Sequence, residues 1–95
     1  MRNRWIVCYD ICEPKRLRLV YKILRGYGDW MQLSVFRCEL SDRERVVLRG
    51  LLSEVVNHDE DQVIFVDIGP AEGRGATAIE TLGKPMVERP RVLVL

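Results

Sequence analysis

Apolar and polar residues alternate along this chain in blocks that change period several times. From Arg4 to Ile11 the run Arg-Trp-Ile-Val-Cys-Tyr-Asp-Ile is rich in β-branched and aromatic side chains and predicts a strand ending on a carboxylate. Pro14 suits the first turn of a helix. Beyond it Leu17, Val20, Tyr21 and Leu24 fall at i, i+3, i+4 and i+7, which predicts an amphipathic helix over 15–27 with Gly26 and Gly28 as its stop. Residues 30–40 are strand-like throughout but long for one strand, so they are read as two strands folded near Gln32-Leu33-Ser34, although no Gly or Pro marks the bend. Ser41 and Glu44 form a capping box that opens a helix to about Val56, burying Val47, Leu48, Leu51, Leu52 and Val55. After the polar turn Asn57–Asp61, Gln62 to Ile68 reads as a further strand. Gly69 to Gly83 reads as a flexible connector, and Pro90 to Leu95 as a terminal strand that pairs with a sheet edge, its own or that of a second chain.

The order β-α-β-β-α-β plus a C-terminal strand predicts an α+β, ferredoxin-like fold, one domain over 1–95 with a core to about residue 69. Its antiparallel sheet carries helices on one face only. Strands rich in Ile, Val, Phe and Trp then leave an apolar face bare, and a two-fold dimer packing sheet on sheet is the economical cover.

Net charge is only +1, yet its distribution is uneven. Residues 1–38 carry eight basic and three acidic side chains, whereas 39–61 carry three and seven. No acid appears between Pro14 and Gly28, so Lys15, Arg16, Arg18, Lys22 and Arg25 give the first helix one sign of charge, a pattern that suits phosphate. Three cysteines without a CxxC pair and a single His58 do not make a zinc framework, and Cys8 reads as a small buried hydrophobe. No apolar run approaches the roughly 18 residues of a membrane span, and a reduced, cytoplasmic protein is expected. The carboxylates of 57–61 lack the spacing of a Ca²⁺ loop, and Gly73-Arg74-Gly75 lacks that of a phosphate-binding loop. Asp67, inside a strand, reads as structural. Asp10 is different: a carboxylate at a strand end, facing a basic helix start, is a poor choice for packing and the first candidate for chemistry.

These segments together carry a resemblance. Val-Cys-Tyr-Asp-Ile at 7–11, Lys-Arg-Leu-Arg at 15–18, Arg-Gly-Tyr-Gly at 25–28, Gln-Leu-Ser-Val-Phe at 32–36 and Asp61-Gln62-Val63 resemble the CRISPR-associated Cas-two family, the small proteins of spacer acquisition in antiviral defence. The resemblance implies a ferredoxin-like homodimer whose C-terminal strand crosses to the partner's sheet, and association with the Cas-one integrase. It implies either a metal-dependent endonuclease on RNA or DNA, or a non-catalytic bridge between integrase dimers. Carried over by position, Asp10 is the catalytic residue and the Mg²⁺ ligand, with Mn²⁺ as an alternative ion. Tyr9, Lys15, Arg16, Arg18, Ser34 and Phe36 are the nucleic-acid-binding positions. The sequence departs from the family pattern at Cys12-Glu13-Pro14, at Leu33 and at Arg37, and it offers no obvious general base. A regulatory domain binding a small effector between subunits is the reading that the fold alone would also allow.

Overall fold

The computed structural model describes residues 1–86. Its elements run β1 (Asn3–Asp10), α1 (Pro14–Arg25), β2 (Gly28–Gln32), β3 (Val35–Leu40), α2 (Asp42–Val55), β4 (Gln62–Pro70) and a short α3 (Arg74–Thr77). The four strands form one antiparallel sheet in the order β2-β3-β1-β4, the ferredoxin-like arrangement expected from the sequence. The expected C-terminal strand lies outside the described residues.

Strand alternation sorts the side chains of the sheet. Val7 and Tyr9 of β1 and Phe36, Cys38 and Leu40 of β3 turn toward the helices and pack with Val20 and Leu24 of α1 and Leu48 and Leu52 of α2. Each large apolar side chain buried there contributes roughly 1.5–3 kcal/mol. The second helix buries less than its spacing suggested. Val47 and Leu51 remain 46% and 39% exposed, because two helices lying side by side on a four-stranded sheet cover only the faces turned inward. Cys38 is the buried thiol of the core, while Cys8 sits half-buried on the opposite side of the sheet.

That opposite, helix-free face carries the apolar residues Ile6, Cys8, Val35, Ile64 and Val66, the last two 45% and 43% exposed. It is not wholly apolar, however. Arg37 lies buried on it and pairs with Asp29 at 3.1 Å, its other amine donating to Met86 Sδ at 3.3 Å, and Arg4 pairs with Glu39. Asp67 accepts from Asn3 Nδ2 and from the Gly69 N–H, a structural role as expected.

The bend between β2 and β3 falls at Leu33-Ser34, where the sequence offered no turn residue. Leu33 supplies it in the left-handed region, at φ 27°, a conformation that costs a non-glycine residue of the order of 1–2 kcal/mol. The connector after β4 is more ordered than its glycines suggested. Gly75 sits against the carbonyl oxygens of Gly69 and Pro70 and the Arg4 Cβ, each within 2.8 Å of where a Cβ would lie, so this stretch docks as α3 rather than swinging free. Gly28 is equally confined: a Cβ there would strike the Arg37 carbonyl oxygen and the Cys38 sulphur. Gly28→Ala is therefore expected to destabilise the fold by roughly 1–3 kcal/mol, read as a lowered urea midpoint with unchanged slope.

Candidate nucleic-acid interface and carboxylate site

The C-terminal end of β1, the β2–β3 turn, the start of α1 and the α2–β4 turn meet at one end of the sheet. Tyr9 donates its N–H to the Ser34 carbonyl at 3.0 Å, and Cys12 donates its N–H to Asp61 Oδ1 at 2.9 Å. Between them stands Asp10, exposed, paired in register with Gln62 and placed by alternation on the helix-free face with Ile6 and Cys8.

Glu13, the other acid near Asp10 in sequence, is committed elsewhere. It is the N-cap of α1, its two carboxylate oxygens accepting the N–H groups of Lys15 at 3.0 Å and Arg16 at 2.9 Å. Those two backbone donors, Lys15 foremost, hold its carboxyl below the usual range. Pro14 follows at the first helical position, where its missing N–H costs nothing.

The cations of α1 divide between two sides of the helix. At about 100° per residue, Lys15, Arg18, Lys22 and Arg25 share one solvent-exposed arc, and Arg16 points away from it. Arg16 Nε donates to Asp61 Oδ2 at 2.8 Å, and Nη2 donates to Asp61 Oδ1 at 3.3 Å and to Glu60 Oε2 at 3.1 Å. Lys15, Arg18 and Lys22 make no ion pair among the described residues. The guanidinium of Arg25 lies 5.8 Å over the Tyr21 ring and donates to its hydroxyl at 3.1 Å.

Asp61 is the residue the sequence reading left in a solvated turn. Its side chain is fully out of solvent and takes four hydrogen bonds, two from Arg16 and one each from the N–H groups of Cys12 and Asn57. The Arg16 side chain foremost, then the two backbone donors, hold its carboxyl well below the usual carboxylate range. Its position directly before a strand and four residues after Asn57 was the available signal.

Two expected contact residues are corrected. Phe36 is fully buried and Tyr9 is 6% exposed, because both fall on the helix-facing side of their strands and pack on each other, ring centroids 6.2 Å apart. Burial, with the neighbouring Tyr21, pushes the Tyr9 hydroxyl up. Ser34 is half-buried and gives its carbonyl to Tyr9. Arg16 is likewise bound to carboxylates rather than presented to a ligand. His58 is far from Asp10 in role, its Nε2–H donating to the Ser53 carbonyl at 3.0 Å at the end of α2. No group of three or more His, Cys, Asp or Glu side chains able to hold a metal occurs among the described residues. Nor is any described helix long and apolar enough to cross a membrane.

Residues 2–73, which span the sheet, both long helices and Asp10, match the family model of CRISPR associated protein Cas2. The chain belongs to the Cas2 family. It is 43% identical over 82 residues to the CRISPR-associated endoribonuclease Cas2 1 of Rhodospirillum rubrum, covering 86% of this chain and 79% of that one. It is 47% identical over 73 residues to the CRISPR-associated endoribonuclease Cas2 of Geobacter sulfurreducens, covering 76% of each. Among solved structures it resembles Streptococcus pyogenes Cas2 at a TM-score of 0.73 and 32% identity, covering 84% of this chain and 99% of that one. It also resembles a hypothetical protein from Thermus thermophilus at 0.79 and 28%, covering 93% and 100%.

Asp61 makes a testable contribution to stability. Its folded-state pKa lies below its unfolded value of about 4, so the stabilisation is complete above that pH and is lost as pH falls toward the folded value. Asp61→Asn is expected to lower the urea midpoint at pH 7, with the gap to wild type narrowing steadily below about pH 4. A constant gap across that range would separate the loss from ionisation.

Proposed function

We propose that this Cas2-family chain is a homodimeric, metal-dependent endonuclease that hydrolyses phosphodiester bonds of RNA or DNA at Asp10, in the spacer-acquisition stage of CRISPR defence. The observation that carries the reading is the placement of Asp10: an exposed carboxylate at a strand end, four residues before a helix whose charged side chains are all cationic. The relatives named as endoribonucleases support the reaction class.

One carboxylate is few for a metal site, but Mg²⁺ commonly binds through one or two carboxylates and fills its remaining positions with water and substrate phosphate. The half-exposed Ile64 and Val66 share the helix-free face with Asp10, so a two-fold pairing through that face supplies a second Asp10. The two carboxylates would hold the ion. A bound Mg²⁺ or Mn²⁺ supplies neutralisation of phosphate charge and a more acidic water. Lys15 and Arg18 hold the flanking phosphates by charge-assisted hydrogen bonds and orient the scissile bond. Asp61 and Arg16 fix the loop that follows Asp10, and Glu13 fixes the start of the cationic helix.

A second reading has its own support. With a row of exposed cations on α1, the dimer also suits a bridge that lies along a duplex and assembles the Cas-one integrase without cutting.

The deciding experiment compares cleavage of labelled single-stranded RNA and duplex DNA by wild type and Asp10→Ala, with dimer content followed by light scattering. The expected outcome is cleavage that EDTA abolishes and that falls at least 100-fold in a still-dimeric Asp10→Ala. Equal residual cleavage in both proteins would remove the nuclease reading and leave the bridge. Arg18→Ala with Lys22→Ala is expected to reduce the salt dependence of binding, the slope of log K against log salt falling by about 2.

A further inference from the structure

The tip of the β2–β3 hairpin lies outside the carboxylate and cation set described above. We propose that Trp30 and Leu33 form a nucleobase-contacting platform, so that a strand lying on α1 is held through unpaired bases as well as through its phosphates. The inference rests on the nucleic-acid reading of α1 and says which form of nucleic acid that surface selects.

Trp30 stands on an edge strand with half its surface in water, and Leu33 is 87% exposed. The indole is nevertheless fixed: its Nε1–H donates to the Leu33 carbonyl at 3.0 Å, which anchors one edge of the ring. The same carbonyl receives the Tyr9 hydroxyl at 3.5 Å, and Tyr9 immediately precedes Asp10. Tip, indole and the end of β1 are therefore one hydrogen-bonded unit. Leu33 holds its turn at a positive φ that glycine or asparagine would meet at lower cost, and it places a large apolar side chain in solvent while doing so.

The platform neighbours the cationic helix through a shared buried ring. Trp30 is paired across strands with Phe36, and Tyr21 of α1 meets Phe36 edge-on at 5.5 Å. Arg25 in turn lies over Tyr21. Phe36 itself is buried, so the rings that reach the surface are Trp30 and the half-buried Tyr21, which packs on Phe36 and lies under Arg25 of the row Lys15, Arg18, Lys22, Arg25. A backbone-tracking row of cations flanked by aromatic rings is the arrangement that holds single strands, because every base has a face to stack and every nucleotide a charge to pair. A duplex keeps its bases stacked inside and offers this surface phosphates alone. The occupant is accordingly an unpaired stretch of RNA or DNA.

The test uses Asp10→Ala protein in EDTA, so that no cleavage enters. Tryptophan emission and affinity are measured with an oligouridine strand, with the same strand in a duplex, and with inorganic polyphosphate. Trp30→Phe in the same background assigns the signal between Trp30 and Trp5. Oligouridine is expected to quench Trp30, and polyphosphate to compete without quenching. Trp30→Ala is expected to weaken single-strand binding about tenfold and to leave duplex binding unchanged. Leu33→Ser, which keeps the turn and removes the apolar tip, is expected to weaken the single strand a few-fold and serves if Trp30→Ala does not fold. Single-strand affinity unchanged in Leu33→Ser and Trp30→Ala, or loss shared equally with the duplex, would overturn the platform and leave the Asp10 reading standing. Failure of every nucleic acid to bind would overturn both.

Discussion

Four hydrogen bonds converge on the carboxylate of Asp61, three of them from residues that are distant in sequence. Arg16 brings the first turn of α1, Cys12 brings the loop two residues beyond Asp10, and Asn57 brings the end of α2. The next residue, Gln62, begins β4. A charge held out of solvent is costly unless its lone pairs are filled by good donors, and here they are filled by a guanidinium and two backbone N–H groups. The site end of the sheet depends on this one group. Without it Arg16 would face Glu60 alone, and the loop that follows Asp10 would keep only the bond from Cys12 Sγ to the Glu60 carbonyl.

The same interaction explains why five basic residues of α1 do not act alike. Periodicity alone made them a one-sign face, and the family resemblance grouped Lys15, Arg16 and Arg18 as a basic start. Two residues further along an α-helix is a rotation of about 200°, so Arg16 and Arg18 cannot look the same way. The helical rotation was readable in the sequence; the carboxylate waiting on the far side, 45 positions later, was not. Alternation likewise puts Phe36 and Tyr9 with Cys38 and Val7 on the covered side, a pattern at odds with the contact role that the resemblance implied for them.

Strand and helix positions were legible because each rests on a local pattern: β-branched runs, i/i+3/i+4 spacing, the Ser41–Glu44 box. The split of 30–40 into two strands was legible only from length, since Leu33 makes the turn by accepting backbone strain that no residue type announces. The docking of α3 was missed for a related reason. Glycines signal freedom in a sequence, but Gly75 is there because two carbonyl oxygens and a neighbouring Cβ leave room for nothing larger. The state of Asp10 was legible as an anomaly and no further, since one exposed carboxylate at a strand end does not by itself define a site.

The separation of charge along the chain persists in the folded molecule. Cations line the outer arc of α1, while Glu54, Asp59 and Glu60 lie at the end of α2 and the turn after it. A protein with a net charge of +1 is close to neutral as a whole, yet its charges are unevenly placed. Near a polyanion such a body experiences a torque before it experiences much attraction, and it is turned α1-first while still in solution. Orientation then precedes contact, and a near-neutral protein gains the directional approach usually associated with strongly basic ones, without the indiscriminate adhesion that a large net positive charge brings.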